Sequence, residues 1–492
     1  MDLPLMFRYA GRWARGAVVG WLVSSLAGGA WADTNLPEPA ENRAVTYVTA
    51  QEKQLGAAWL RQLRGQVSTL DDPWLTEYLL DLVYRLYPAS GMQDGHISLV
   101  VVDSAELNAF AVPGGVIGVN GGLLLYTQKE DELASVLAHE LAHLAQRHFA
   151  RRQEEAGKSA ALNLAGMLAS VVIAAAAGSD AGLAAMAATQ GYSAQSQLAY
   201  SRDNESEADR LGMRILASSG FSPQAMPDMF RRMAEANRYS TRPPEYLLTH
   251  PLSETRLADA QSRARQYPET PRSSGLEYAF VQARMQVHYA ERPSVALDTW
   301  RSRLEKQGAA AVDARVDVWR YAAALAALRA GELSQAGAWL KSLMASRSDS
   351  AMVQELYARW LVATGKPEAA LSTLRRALEL RPGRYALMRA YADAAAAAGE
   401  WATAINVLRE LARDHEEEPA IWLQLADLYG KSGALAQVHM ARAEADQLRG
   451  NLDGAIRELM EARKKAAGDY IAATRIAERL KLFQEWKRNP PF

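Results

Sequence analysis

From about Thr46 to Tyr87, apolar residues recur at three- and four-residue steps: Leu55, Trp59, Leu60 and Leu63, then Leu75, Leu79, Leu80, Leu82 and Val83. That is the period of amphipathic helices, and it predicts packing helices rather than a reactive site. The period changes at Ile97-Ser98-Leu99-Val100-Val101-Val102, where β-branched residues predict a strand. In the stretch from Asn108 to Leu124, Pro113-Gly114-Gly115 predicts a turn between two short strands. Asn120-Gly121 predicts a second turn, leading into a helix. Two readings stay open for this hairpin: an ordinary core element, or a sheet edge whose backbone groups pair with an extended peptide.

Helical patterning resumes at Ser135-Val136-Leu137-Ala138-His139-Glu140-Leu141-Ala142-His143, an apolar run interrupted by two imidazoles and a carboxylate. Helix positions i and i+4 lie only ~40° apart around the axis, so His139 and His143 share a face one turn apart. Two nitrogen ligands can then share one metal ion, with Glu140 placed as general base toward a water in its open position. Beyond this helix, Arg147, His148, Arg151 and Arg152 predict a solvated helix end. The alanine-rich run from Ala160 to Ala177, with Gly182 to Thr189, predicts a helical hairpin rather than a span. Such a hairpin over 160–190 either covers the site or makes peripheral contact with a membrane surface.

A polar cluster follows, Tyr200-Ser201-Arg202-Asp203-Asn204-Glu205-Ser206-Glu207-Ala208-Asp209, inside another helical pattern. Glu205 and Asp209 fall on one face, whereas Glu207 points roughly 200° away from Glu205. Glu205 is therefore the expected third ligand, and Asp209, one turn on, is expected to hold a ligand histidine through its second nitrogen. His250-Pro251 marks a loop, because a residue before proline avoids the α region. His250 reads as a surface residue, as a group in the open metal position, or as a donor to the transition-state oxyanion.

The C-terminal half repeats. Gly331, Gly365, Gly399 and Gly433 are spaced by 34 residues each, and the first three are followed by Ala336, Ala370 and Ala404, then Leu340, Leu374 and Leu408. A helix–turn–helix period of this length, with small residues where helices meet, resembles the tetratricopeptide repeat. The register shortens at Gly450, and Ala455 and Leu459 resume it. Such arrays stack into solenoids that bind peptides or partner proteins, although a purely structural scaffold is the alternative.

Composition changes the picture in three places. The chain has 492 residues with 55 Lys+Arg against 56 Asp+Glu, a net charge of −1, so no basic excess points to nucleic acid. There is no cysteine, so disulfides and thiolate ligands are excluded and any zinc must be held by His and carboxylates. Arg8, Arg12 and Arg15 precede an apolar run that ends in Ala30-Trp31-Ala32. This is the pattern of a secretory signal peptide over 1–32, with cleavage between Ala32 and Asp33; an uncleaved anchor is the alternative.

The motif from Ser135 to His143, Asn108-Ala109-Phe110-Ala111 with Pro113-Gly114-Gly115 before it, and Tyr200-Ser201-Arg202 with Glu205-x-Glu207-Ala208-Asp209 after it together resemble the M48 family of zinc metallopeptidases. The resemblance covers the mature chain and implies a fold: mainly α with a small β-sheet, an α+β zincin-like domain over 33–268, then an all-α tetratricopeptide solenoid over 269–492. It implies one Zn2+ held by His139, His143 and Glu205, with Glu140, His250 and Asp209 as catalytic groups and Arg256 as a basic residue nearby. For an exported, repeat-bearing member it implies a periplasmic endopeptidase that degrades misassembled outer-membrane proteins and assists their assembly, its repeats docking onto the barrel-assembly machinery. Unfolded or stalled outer-membrane β-barrel proteins are the implied substrates. The competing expectation is a non-proteolytic chaperone or scaffold in which the metal site is latent or vestigial.

Overall fold

The computed structural model describes residues 48–93, 95–151, 201–239, 244–268, 270, 275–307, 313–466 and 468–488. The expected signal peptide over 1–32 and the expected hairpin over 160–190 lie outside the described residues.

Helix α1, Ala50–Gln66, opens on a capping box in which Thr49 and Glu52 satisfy each other's backbone N–H. Helix α2, Pro73–Leu86, has proline in its first turn and Asp72 as its cap, accepting from the N–H groups of Trp74 and Leu75. Strands β1, Ser98–Val102, β2, Ala109–Val112, and β3, Val116–Asn120, form a sheet in the order β1-β3-β2. β1 runs parallel to β3 and β2 antiparallel to it. The predicted Pro113-Gly114-Gly115 turn closes this hairpin with Gly114 and Gly115 at φ 91° and 81°, a region that favours glycine.

Asn120 N–H donates to the Asn108 carbonyl at 3.0 Å. Hydrogen-bonded and non-bonded pairs alternate in antiparallel ladders, so the backbone polar groups of Ala109 and Ala111 face away from β3. Among the described residues β2 is thus an edge strand, and it lies against the helix that carries the histidines.

After the short α3, Leu123–Tyr126, comes α4, Glu130–Ala145, in which every residue but Leu144 is buried. Lys129 provides no side-chain cap, and three acidic residues in the first turn suit the positive helix N-terminus. Each is tied to a different element: Glu130 accepts from Tyr78 at 3.0 Å and Arg85 at 2.9 Å, Asp131 from Ser222 N–H at 3.2 Å, and Glu132 from Arg232 at 2.8 Å. These contacts fix the rotation of α4, and hence the direction of its histidines.

Helices α5, Arg202–Ser218, α6, Ala225–Tyr239, α7, Glu245–Thr249, and α8, Glu254–Ala264, complete this part. The repeats follow as α9, Leu276–His288; α10, Pro293–Gln307; α11, Ala314–Ala330; α12, Leu333–Ser346; α13, Ala351–Ala363; and α14, Pro367–Leu380. They continue as α15, Tyr385–Ala397; α16, Trp401–Asp414; α17, Pro419–Lys431; α18, Leu435–Leu448; α19, Leu452–Lys465; and α20, Tyr470–Arg488. Ala336, Ala370, Ala404, Leu340, Leu374 and Leu408 are all fully buried between paired helices. Ala455 and Leu459 are equally buried after the shortened interval at Gly450.

The solenoid grips α1 and α2. Arg284 on α9 binds Asp72 at 2.7 Å, Trp74 donates to Glu355 on α13 at 3.1 Å, and Arg389 on α15 reaches Asp71 at 3.1 Å. At the far end, the backbone of Arg61 on α1 comes so close to Gly450 that a Cβ there would stand 2.8 Å from its carbonyl oxygen. No helix among the described residues is long and apolar enough to cross a membrane.

Candidate metal centre

The two α4 histidines meet as their spacing predicts, with His139 Nε2 and His143 Nε2 3.0 Å apart. Helix α5 packs directly on α4 because residue 212 is glycine: a Cβ there would lie 3.2 Å from Ala138 O and from the backbone of His139. On the same face of α5, Glu205 sits two turns earlier and Asp209 one turn earlier. Glu205 Oε1 lies 3.4 Å from His143 Nε2, its Oε2 lies 3.5 Å from His139 Nε2, and Asp209 Oδ1 lies 3.0 Å from His139 Nδ1.

His250 is brought in by α7. The Tyr246 N–H donates to the Leu107 carbonyl at 3.2 Å, and the Glu245 carboxylate accepts from the amides of Asn108 at 3.2 Å and Asn120 at 3.3 Å. These bonds pin the helix to the ends of β2 and β3. His250 caps α7, stacks on the Tyr246 ring at 4.5 Å, and is buried. Its Nδ1 lies 3.4 Å from His139 Nε2 and 3.0 Å from Glu205 Oε1. The surface-loop reading of His250 therefore fails.

One donor atom from each of His139, His143, Glu205 and His250 lies within 4.8 Å of all the others. Two ligand bonds of about 2.05 Å at the tetrahedral angle subtend roughly 3.3 Å. The separations above, 3.0 to 3.5 Å, bracket that value. Glu140 is fully buried beside them, with His250 Nε2 3.5 Å from its Oε1, and among the described residues neither of its oxygens has a hydrogen-bond partner. A fully buried carboxylate beside a knot of imidazoles suits a site built for a cation and its water. The donor set fits zinc.

The charges are arranged accordingly. Burial alone would raise the Glu205 carboxyl, but His250, His139 and His143 outweigh it and hold it well below its usual range. Burial works the same way on Asp209, where Arg256 and His139 win and lower it. Arg256 binds Asp209 through Nε at 2.7 Å, Glu205 Oε2 at 2.8 Å and the Pro251 carbonyl at 2.7 Å, linking α8 to α5 and to the His250 loop. Burial opposes a charge on His139, yet bonds to Asp209 and Glu205 push its pKa up to about 10. Burial and the neighbouring imidazoles hold His143 low, against the pull of Glu205.

The sequence reading missed part of the site. His148 is not at a solvated helix end: it is fully buried, with Nδ1 2.9 Å from His143 Nδ1 and Nε2 3.2 Å from Glu207 Oε2. Glu207 does face away from Glu205's side of the helix, and that is how it meets His148. Periodicity carried no signal for this contact, because it depends on a break in α4 just after Ala145.

A buried helix presenting two imidazoles and a carboxylate, completed by a glutamate from a second helix and an imidazole from a third element, defines a metallopeptidase. The chain belongs to peptidase family M48, whose pattern matches residues 71–264, and a tetratricopeptide repeat pattern matches residues 361–428. It is similar to the beta-barrel assembly-enhancing protease of Escherichia coli (strain K12), 34% identical over 466 residues, 94% of this chain and 93% of that protein. The putative beta-barrel assembly-enhancing protease of Vibrio cholerae is 33% identical over 445 residues, 90% of this chain and 91% of that protein. The mitochondrial metalloendopeptidase OMA1 of Schizosaccharomyces pombe is 30% identical over 190 residues, 37% of this chain and 51% of that protein.

Proposed function

We propose that the chain is a zinc-dependent endopeptidase of the periplasm that degrades misassembled outer-membrane proteins and assists their assembly. The observation that carries this reading is the meeting of four donor atoms within 4.8 Å beside the buried carboxylate of Glu140. Similarity to the beta-barrel assembly-enhancing proteases over nearly the whole chain supports the substrate class. In this reading residues 1–32 are removed by cleavage between Ala32 and Asp33, residues 33–268 form the peptidase, and residues 269–492 form the repeats that dock on the barrel-assembly machinery.

His139, His143 and Glu205 hold the zinc, with Asp209 orienting His139 through its Nδ1. Zinc, when bound, supplies Lewis acidity toward the scissile carbonyl and toward water. Glu140 takes the proton of the attacking water and delivers it to the leaving amine as the C–N bond breaks. The outward backbone groups of Ala109 and Ala111 pair with an extended substrate strand and orient its carbonyl toward the site.

In this reading His250 would be a further zinc donor, and it keeps the enzyme latent until substrate binds. That same closure, with Nδ1 3.0 Å from Glu205, favours a second reading in which the chain acts mainly as a non-proteolytic scaffold for barrel assembly. Incubating the purified chain with an unfolded outer-membrane barrel protein and with its folded form separates the two. Cleavage of the unfolded form alone, abolished by a chelator and restored by zinc, is the expected result. Protection without any cleavage would support the scaffold.

A further inference from the structure

His143 sits near the end of α4, and the chain does something unusual directly after it. Gln146 still has helical backbone angles, but Arg147 adopts φ 49°, the one positive φ at a non-glycine position among the described residues. A left-handed conformation costs free energy for any residue with a Cβ, and it persists only where the surroundings hold it. Here the Arg147 guanidinium is held by Glu52 on α1, with Nε and Nη2 each 3.2 Å from Oε1.

The break has a geometric use. On an uninterrupted helix, residue i+5 stands roughly 140° around the axis from residue i, so an imidazole at 148 would turn away from His143. With the helix broken at Arg147, His148 folds back under His143. Their Nδ1 atoms are 2.9 Å apart, and His148 Nε2 lies 3.2 Å from Glu207 Oε2, which also binds Arg151 at 2.8 Å.

We propose that His148, held by Glu207 and aimed by the left-handed turn at Arg147, is a positioning residue that fixes the ring orientation and tautomer of His143. The inference rests on the zinc site proposed above. Two requirements at opposite ends of the chain of bonds agree on the direction of every proton. Glu207 is an acceptor, so His148 carries its proton on Nε2 and presents a bare Nδ1. His143 then donates from its own Nδ1, which leaves its Nε2 lone pair facing His139 Nε2 and Glu205, where a metal ion needs it. The opposite tautomer would put a proton on His143 Nε2 and close the site to a cation.

The two α4 ligands are thus supported in different ways. His139 has a carboxylate, Asp209, directly on its Nδ1 at 3.0 Å. His143 reaches its carboxylate through a second imidazole, and that imidazole is supplied by the chain just beyond α4.

The test is zinc affinity, measured by competition with a chromophoric chelator, on the full chain and on three variants. His148→Phe fills the same space but offers no acceptor; His148→Asn keeps an oxygen near the position of Nδ1; Glu207→Ala leaves His148 without its anchor. Expected are a zinc dissociation constant raised about 10–100-fold in His148→Phe, a value within a few-fold of wild type in His148→Asn, and an intermediate loss in Glu207→Ala. Wild-type affinity in His148→Phe, or equal losses in the Phe and Asn variants, would overturn the proposal, because packing alone would then explain the residue. If His148→Phe does not fold, Glu207→Ala decides, and zinc binding there as tight as in wild type overturns it. A wild-type chain that takes up no zinc would instead remove the underlying metal site, and the proposal with it.

Discussion

Gly212 on α5 lies against His139 on α4 so closely that a Cβ at 212 would stand 3.2 Å from the His139 backbone nitrogen and Cα. That contact sets the distance at which Glu205 and Asp209 face the histidine. Gly212→Val should therefore wedge the helices apart, costing about 1–3 kcal/mol of stability as overpacking does and weakening zinc binding more than a comparable change elsewhere on α5. Urea unfolding with and without zinc checks this, since the destabilisation should be larger in the zinc-loaded protein.

Glu245 makes stability depend on pH. Burial, with a contribution from Glu106, pushes its carboxyl up to about 7 despite the amides of Asn120 and Asn108 that favour the charged form. Between the ordinary carboxylate range and pH 7, the folded chain holds a proton that the unfolded chain has released. Stability contributed by this group therefore falls as pH rises through that window and stays flat above it. Glu245→Gln should match wild type near pH 4 and be more stable at pH 8, by roughly 1 kcal/mol after allowance for the solvent that still reaches the carboxyl. Melting temperatures of both proteins across pH 4–8 provide the comparison.

His250 closes the donor cluster with Nδ1 3.0 Å from Glu205 Oε1 and its ring stacked on Tyr246. If it holds the enzyme latent, His250→Ala should cleave a short unstructured peptide faster than wild type while still binding zinc through the remaining donors. A drop in the rate constant at saturating peptide, with zinc content unchanged, would assign His250 to the oxyanion instead.

Arg284 and Asp72 join solenoid and peptidase through a pair in which both side chains are almost fully buried. Arg284→Met leaves Asp72 charged and unpartnered and should cost about 3–5 kcal/mol, whereas Arg284→Met with Asp72→Asn should recover part of that loss. Arg315→Met, which breaks the exposed pair with Asp313, should leave the melting temperature nearly unchanged. Thermal unfolding of the three variants, counting the double variant, tests whether the two parts share one cooperative core.

Much of this molecule could be read from the sequence where the relevant residues share a helix face. His139 and His143 lie one turn apart, Glu205 and Asp209 lie on one stripe of α5, and the repeats expose a fixed period of glycines. What could not be read depends on long-range contact or on a broken period. The clasp of Arg284 on Asp72 joins positions 212 residues apart, and Glu245 meets Asn108 and Asn120 across 137 and 125 residues. No periodic signal spans such gaps. His148 was misread for the other reason: extending α4 past Ala145 turns its ring to solvent, and only the left-handed turn at Arg147 turns it inward.

The proposed mechanism has His139, His143 and Glu205 hold zinc while Glu140 moves the proton without holding the metal. The measurement that tests it most directly is zinc content and cleavage rate, taken on the same preparations of the wild-type chain and of Glu140→Gln. One zinc per chain is expected in both, with cleavage by Glu140→Gln slower by about 10²–10⁴-fold. Equal cleavage by the two proteins, or cleavage by a wild-type chain that contains no metal, would contradict it.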